Sequence, residues 1–389
     1  MRWMLCLALS VGAFGQNTLT PQEASDGWLL LFDGRTMFGW TPTGETGWRV
    51  QGGAIIADSG GNGWLRHNAE FADFALSCDF RTASDGNSGL FLRSAREGQP
   101  HVTGYELQIF DNQPAGFHTG ALVNHIKPQK ASKIKHNQWM TYVVEAQGPR
   151  WIVKLDGETV LTGEDRKSLT GHIGLQFNVG KKIEFRNIKV KPLGVKPMFN
   201  GTDMTGWKKW SPEGTTQPPE WSLREGAVHA ENGPGQLESE KLYADFILQL
   251  DGRVMALPGG RKGDSGIFVR GESGKRFPGY ESQIYNGYDD GDRTLAQNFG
   301  TGGLYPFFAA RRVLGNDGEY FNMTFLARGR HLATWVNGYP VAEYDDPRPE
   351  GASMREGALL KPGPIVLQSL GPGSKTDFRN VRISEYPSK

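Results

Sequence analysis

Apolar and polar side chains alternate along most of this chain in runs of about five to eight residues, each closed by Gly, Pro, Asn or Asp. In Phe74-Ala-Leu-Ser-Cys-Asp-Phe80 the period of two of an extended chain places Phe74, Leu76, Cys78 and Phe80 on one face. Such runs predict half-buried β-strands separated by tight turns. Helical periodicity is sparse. Thr20-Pro-Gln-Glu23 carries the T-x-x-E spacing with proline at the first helical position, which predicts one short helix.

The strand-like runs occur twice, in the same order. LFDGRTMFGW from Leu31 returns as MFNGTDMTGW from Met198, and WRVQGGAI from Trp48 as WSLREGAV from Trp221. FADFALSCDFR at Phe71 matches YADFILQLDGR at Tyr243, and NSGLFLR at Asn87 matches DSGIFVR at Asp264. GYELQIFD at Gly104 matches GYESQIYN at Gly279, GHIGLQF at Gly171 matches GPIVLQS at Gly363, and FRNIKV at Phe185 matches FRNVRI at Phe378. A period this long is far beyond the roughly 20–50 residues of solenoid repeats, so each copy is a whole domain. The expected division is residues 16–192, a linker at 193–197 whose Pro and Gly break structure, and residues 198–389. So many short strands per copy predict an all-β fold of two tandem two-sheet sandwiches. Trp40, Trp48, Trp207 and Trp221 recur at matching positions, as core residues do.

Composition agrees with a turn-rich β protein: 53 Gly, 11 Trp, 21 Phe and 11 Tyr in 389 residues. The formal charge of +1 lacks the basic excess of a nucleic-acid binder. Arg2, an apolar run from Met4 to Phe14, and small residues at Ala13 and Gly15 predict a signal peptide at 1–15, hence export to the periplasm or outside the cell. No later run is long enough to span a membrane once the leader is cut. Cys6 leaves with it, so Cys78 is expected to be a buried, unpaired thiol.

Alternation also sorts the polar residues. Glu106 and Gln108 share one face of their run, Asn87, Phe91 and Arg93 one face of theirs, and His172 and Gln176 another. The second copy repeats the pattern with Asp264, Arg270, Glu281, Gln283 and Gln368. On one sheet these faces form a groove suited to a hydroxyl-rich ligand. The alternative is a solvated face with an Arg93–Glu106 ion pair worth about 0–1 kcal/mol. Asp111, His118 and His125 follow the Glu106 strand in the first copy only, so that copy is expected to carry more of the proton-transfer chemistry. Asp289, Asp290 and Asp292 alternate in a glycine-rich loop, but the EF-hand pattern is absent.

The repeated LFDG…GW, ADF, NSG-h-F-h-R, GYE-x-Q-h and FRN motifs resemble the 3-keto-disaccharide hydrolase domain family over nearly the whole mature chain, once per copy. The resemblance implies a concanavalin A-like jelly-roll sandwich, export by bacteria, action on glycosides oxidised at C3, and a divalent metal in some members. The sequence itself leaves cofactor, metal and oligomeric state open, and a carbohydrate is the expected partner. A ketone at C3 acidifies the C2 proton, so one base, with Glu106 the candidate, starts elimination at C1, and hydration completes a net hydrolysis. A lectin-like protein that only holds sugar is the alternative. The Glu106-x-Gln-x-x-Asp111 spacing also resembles that of lichenase-type glycosidases. However, residues five apart on a regular strand face opposite ways, about 16 Å apart, whereas a retaining pair needs about 5 Å.

Overall fold

The computed structural model describes residues 15–83 and 86–387, so the leader expected at 1–15 lies almost wholly outside the described residues. Among the described residues no helix is long and apolar enough to cross a membrane. The described residues are built almost entirely from antiparallel strands in four sheets, two per copy, and among them no sheet mixes strands from both halves. The predicted helix forms at Pro21–Ser25, with the Thr20 side chain accepting from the Glu23 N–H and Glu23 reaching back to the Thr20 N–H.

We number only the strands of the two smaller sheets. In the first copy these are β1 (Trp40–Thr46), β2 (Gly60–Phe71), β3 (Ser88–Ser94), β4 (Tyr105–Ile109) and β5 (Gly171–Phe177). Their order is β1-β2-β5-β3-β4. In the second copy they are β6 (Trp207–Trp210), β7 (Gly235–Ser239), β8 (Asp264–Arg270), β9 (Gly279–Tyr285), β10 (Leu304–Tyr305) and β11 (Val366–Ser369). Their order, β6-β7-β11-β8-β9-β10, repeats the first with one strand added. Each packs on an eight-stranded partner sheet, which gives two concanavalin A-like sandwiches in tandem.

Burial follows the alternation. Phe74, Leu76, Cys78 and Phe80 enter the first core together with Leu90, Leu92, Leu107 and Ile109 from the facing sheet. Each such Leu or Phe contributes about 1.5–3 kcal/mol on leaving water. The four recurring tryptophans are all buried in the two cores.

The strand Ile183–Pro192 closes the first copy, and Lys196–Pro197 already pairs with Ile383 and Arg382 of the second. The two copies also pack on each other. Trp335 of the second copy joins the first core and donates its indole N–H to the Leu30 carbonyl at 3.0 Å. The Leu30 N–H donates to the Gly338 carbonyl at 2.8 Å. Arg311 reaches Asp33 at 2.9 Å and Arg328 reaches Glu70 at 3.2 Å. Asn68 donates to Glu343 at 2.5 Å, and the Tyr386 hydroxyl donates to the Glu70 carbonyl at 2.6 Å.

Candidate functional sites on the two smaller sheets

Register sets the rows of each outer face. In the first copy Gln108, Gly89, Gln176 and Trp64 stand side by side, and so do Glu106, Phe91, Gly174 and Arg66. Glycine is needed in both rows. A Cβ at Gly174 would meet the Trp64 ring at 2.2 Å, and one at Gly89 would stand 3.1 Å from Cγ of Glu106. Trp64 therefore lies across the sheet, edge-on to Phe91 with centroids 5.6 Å apart. The result is a cavity of about 580 Å³ with an aromatic floor and a rim that includes Asn62, Asn87, Gln99, His101, Asn124 and Asn178. Glu106 sits in it with one oxygen held by the Gln176 amide at 3.0 Å. Burial pushes its carboxyl above the usual carboxylate range, and the Gln176 bond opposes that shift.

In the second copy the rows are Gln283, Gly266, Gln368 and Gln236, then Glu281, Phe268, Val366 and Glu238. The cavity is larger, about 780 Å³, and Asp264, Glu281, Gln283 and Gln368 all line it. A Cβ at Gly266 would stand only 2.4 Å from Oε1 of Glu281, so the carboxyl lies directly over that glycine, toward Asp264. Burial, aided by the Asp264 charge, pushes the Glu281 carboxyl up to about 8. Burial likewise lifts Asp264 to about 6, against the Ser265 N–H that stabilises its charge. The first copy has Asn87 at this position, with its side-chain oxygen buried and unpartnered among the described residues.

The amides are pre-set. The Ile109 N–H donates to Oε1 of Gln108 at 3.0 Å, and the Ile284 N–H donates to Oε1 of Gln283 at 2.9 Å, which leaves each NH₂ as the group for a ligand. Oε1 of Gln176 and of Gln368 are buried acceptors without partners among the described residues.

Six of the expected site residues lie elsewhere. Arg93 is fully buried and donates to the carbonyls of Ala72 and Gly148 and to Asp73, so it forms no pair with Glu106. The cause is its left-handed backbone (φ 52°) at a bulge where β3 and β5 slip register, which turns the side chain off the outer face. Arg270 (φ 58°) does the same with Ala244 and Asp245. His172 sits on the same bulge and is buried at the junction of the copies, its Nδ1 at 2.9 Å from the His67 carbonyl. Asp111 accepts from the Thr119 hydroxyl at 2.6 Å and the Ile134 N–H at 3.0 Å, a turn-holding role on the other side of the strand. His125 lies against Tyr105, which faces the core, and pairs with Asp165 at 3.0 Å. His118 lines neither cavity.

Residues that alternation did not single out complete the sites: Trp64 and His101 in the first copy, Lys275, Arg276, Phe277 and Arg355 in the second. Trp64 had a signal in the repeat itself, because the second copy carries Gln236 in its place. Among the described residues no three or more His, Cys, Asp or Glu side chains are grouped to hold a metal. Asp292 in the acidic loop instead caps its own turn through Thr294 at 2.8 Å, and Asp289 accepts from Gln297. The donor set does not fit a metal centre, and no step is drawn through one.

Among solved structures, the chain is similar to a provisionally assigned glycosyl hydrolase from Parabacteroides distasonis: 22% identity, TM-score 0.42, 46% of this chain and 100% of that one. It is also similar to carbohydrate-binding module CBM66 from Bacillus subtilis: 21% identity, TM-score 0.33, 39% of this chain and 95% of that one. No curated protein matches the sequence. The profile of the 3-keto-alpha-glucoside-1,2-lyase-like domain matches twice, at residues 27–191 and 194–384, and these matches cover nearly all of both sandwiches. The chain therefore belongs to the family of that domain and carries two copies of it in tandem.

Proposed function

We propose that this protein cleaves 3-keto-glycosides by elimination, and that the second copy is the catalytic one. The observation that carries this reading is the exchange of Asn87 for Asp264. Among the described residues, only the second copy sets another carboxyl beside the glutamate of the smaller sheet. Near pH 7 a pair held at about 6 and about 8 supplies one base and one acid. The Asp264 carboxylate takes the proton from C2, and the C–H electrons pass toward the C3 carbonyl as an enolate. The enolate electrons then form the C1–C2 double bond as the C1–O bond breaks. The departing oxygen takes the proton of Glu281. The products are an unsaturated 3-keto sugar and a free alcohol. Water adding across the new double bond gives net hydrolysis. The Gln283 NH₂ is a donor for the enolate oxygen.

The first copy supports a different role. Its Trp64 and Phe91 floor, with an amide rim and Glu106 as the carboxyl among the described residues, suits holding a sugar ring. The test is turnover of a 3-keto-glycoside, followed by the absorbance of the unsaturated product. Glu281→Gln and Asp264→Asn are expected to cost about 10²–10⁴ in rate, and Glu106→Gln less than about tenfold. Equal losses at Glu106 and Glu281 would assign catalysis to both copies. Sugar binding without turnover by the intact protein would leave a binding protein.

A further inference from the structure

The two cavities differ most at their mouths. Among the described residues no Lys or Arg lines the first, whose edge is Gln99, His101, Gln113 and Asn178. The matching loop of that copy does carry Arg96, but it is directed away to Asp345 of the other copy at 3.7 Å. Lys275 and Arg276 edge the second cavity from the loop between β8 and β9, and Arg355 edges it from the segment after Tyr339–Asp345, the edge strand of the larger sheet.

Arg276 and Arg355 are placed and, among the described residues, unpaired, while Glu272 lines the same cavity beside Lys275. Gln236 accepts from the Phe277 N–H at 3.2 Å, and Glu238 accepts from the Ser273 hydroxyl at 2.5 Å, which pins the first loop to the sheet. Arg348 grips the buried Asp346 at 2.6 Å and donates to the Met354 carbonyl at 2.6 Å, which pins the second segment beside Arg355. Arg276 lies over the Phe277 ring at 4.7 Å, and neither it nor Arg355 has a hydrogen-bond or ion-pair partner among the described residues. Lys275 has only Glu272 at 4.0 Å, with both side chains largely in water. An ion pair so exposed neutralises little.

We infer that the second cavity takes glycosides bearing an anionic group, a carboxylate or sulfate, on the part of the ligand that lies at the mouth between Arg276 and Arg355. This rests on the reading that the cavity holds the sugar. Two guanidiniums from two separately anchored segments give the forked donors that oxyanions accept. The first cavity, whose described lining holds no Lys or Arg, takes neutral sugars.

The test is calorimetric binding of three disaccharides to the full chain at low and high salt: one with a terminal glucuronate, its 6-O-sulfated glucose counterpart, and the plain glucose counterpart. Both anions are expected to bind at least about tenfold tighter than the neutral sugar at low salt, a difference of about 1.4 kcal/mol. The advantage should shrink at high salt, as screening requires. Arg276→Ala/Arg355→Ala should abolish the preference, and Arg276→Glu/Arg355→Glu should reverse it. Preference for one anion over the other names the source. Equal binding of neutral and anionic sugars overturns the inference and spares the proposed function. Binding of none of the three overturns the inference, and turnover of a 3-keto-glycoside then decides the proposed function separately.

Discussion

Gly266 makes room for Glu281: a Cβ on the glycine would stand 2.4 Å from Oε1 of the glutamate and 3.2 Å from its Cγ. The contact is with a movable side chain, so Gly266→Ala should fold. It should nevertheless shift the acid by about an ångström, which costs on the order of 10² in rate. A fall of that size in turnover with an unchanged melting temperature is the expected outcome. Unchanged turnover would mean that the position of this carboxyl does not matter.

The pH dependence of turnover follows from the same pair. Asp264, at about 6, must be ionised to act, and Glu281, at about 8, must be protonated. The rate should rise through about pH 6, peak near 7 and fall through about 8, values that belong to the pair. Asp264→Asn should remove the acid limb. A profile that climbs steadily past pH 9 would exclude Glu281 as the acid.

Arg93 and Arg270 should prove structural. Arg270→Met leaves Asp245 without one of its cations and strands the Ala244 and Gly329 carbonyls. Leaving buried acceptors without a donor costs about 1–3 kcal/mol. Urea unfolding should show a loss of that order, while the folded fraction keeps its KM for a 3-keto-glycoside. A raised KM at full stability would return the arginine to the ligand.

Acid should loosen the junction of the two copies. Burial holds His67 down at about 3, helped by the His331 charge, and holds His172 down at about 4. Unfolding lets both bind protons, so the unfolded state carries more of them between these values and about 6.5. Their contribution is full above about pH 6.5 and is lost as pH falls toward 4 and 3. Glu343, whose carboxyl burial lifts, works the opposite way and offsets part of the effect. The urea midpoint should drop between pH 7.5 and pH 5. A flat midpoint would show the histidines already solvated.

Cys78 is buried beside Phe80 and Leu76, and burial pushes its thiol well up. It should resist alkylation in the native protein and react after unfolding. Fast labelling of the folded chain would contradict its placement.

Much of this was legible in the chain. Alternation of period two correctly buried Phe74, Leu76, Cys78 and Phe80, and the repeat placed Glu106 against Glu281 and Asn87 against Asp264. It failed at Arg93 and His172, because one bulge flips every side chain downstream and no residue type announces it. Asp111, His118 and His125 lie close to Glu106 along the chain, yet the strand and the turn after it carry them to other surfaces. The cations of the second cavity come from segments about eighty residues apart. Only the closing of the sandwich brings such positions together, so local patterning could not pair Arg276 with Arg355.

The short join between Pro192 and Lys196, with Trp335 set into the neighbouring core, makes the tandem a ruler rather than a flexible tether. A glycan that reaches both cavities is presented to the second at an effective concentration fixed by its own length and stiffness, because the protein contributes no slack. Oligosaccharides too short to bridge should bind each cavity independently, and avidity should switch on abruptly at one chain length. Loosening the join with added glycines would blur that threshold and lower the effective concentration for the matching length.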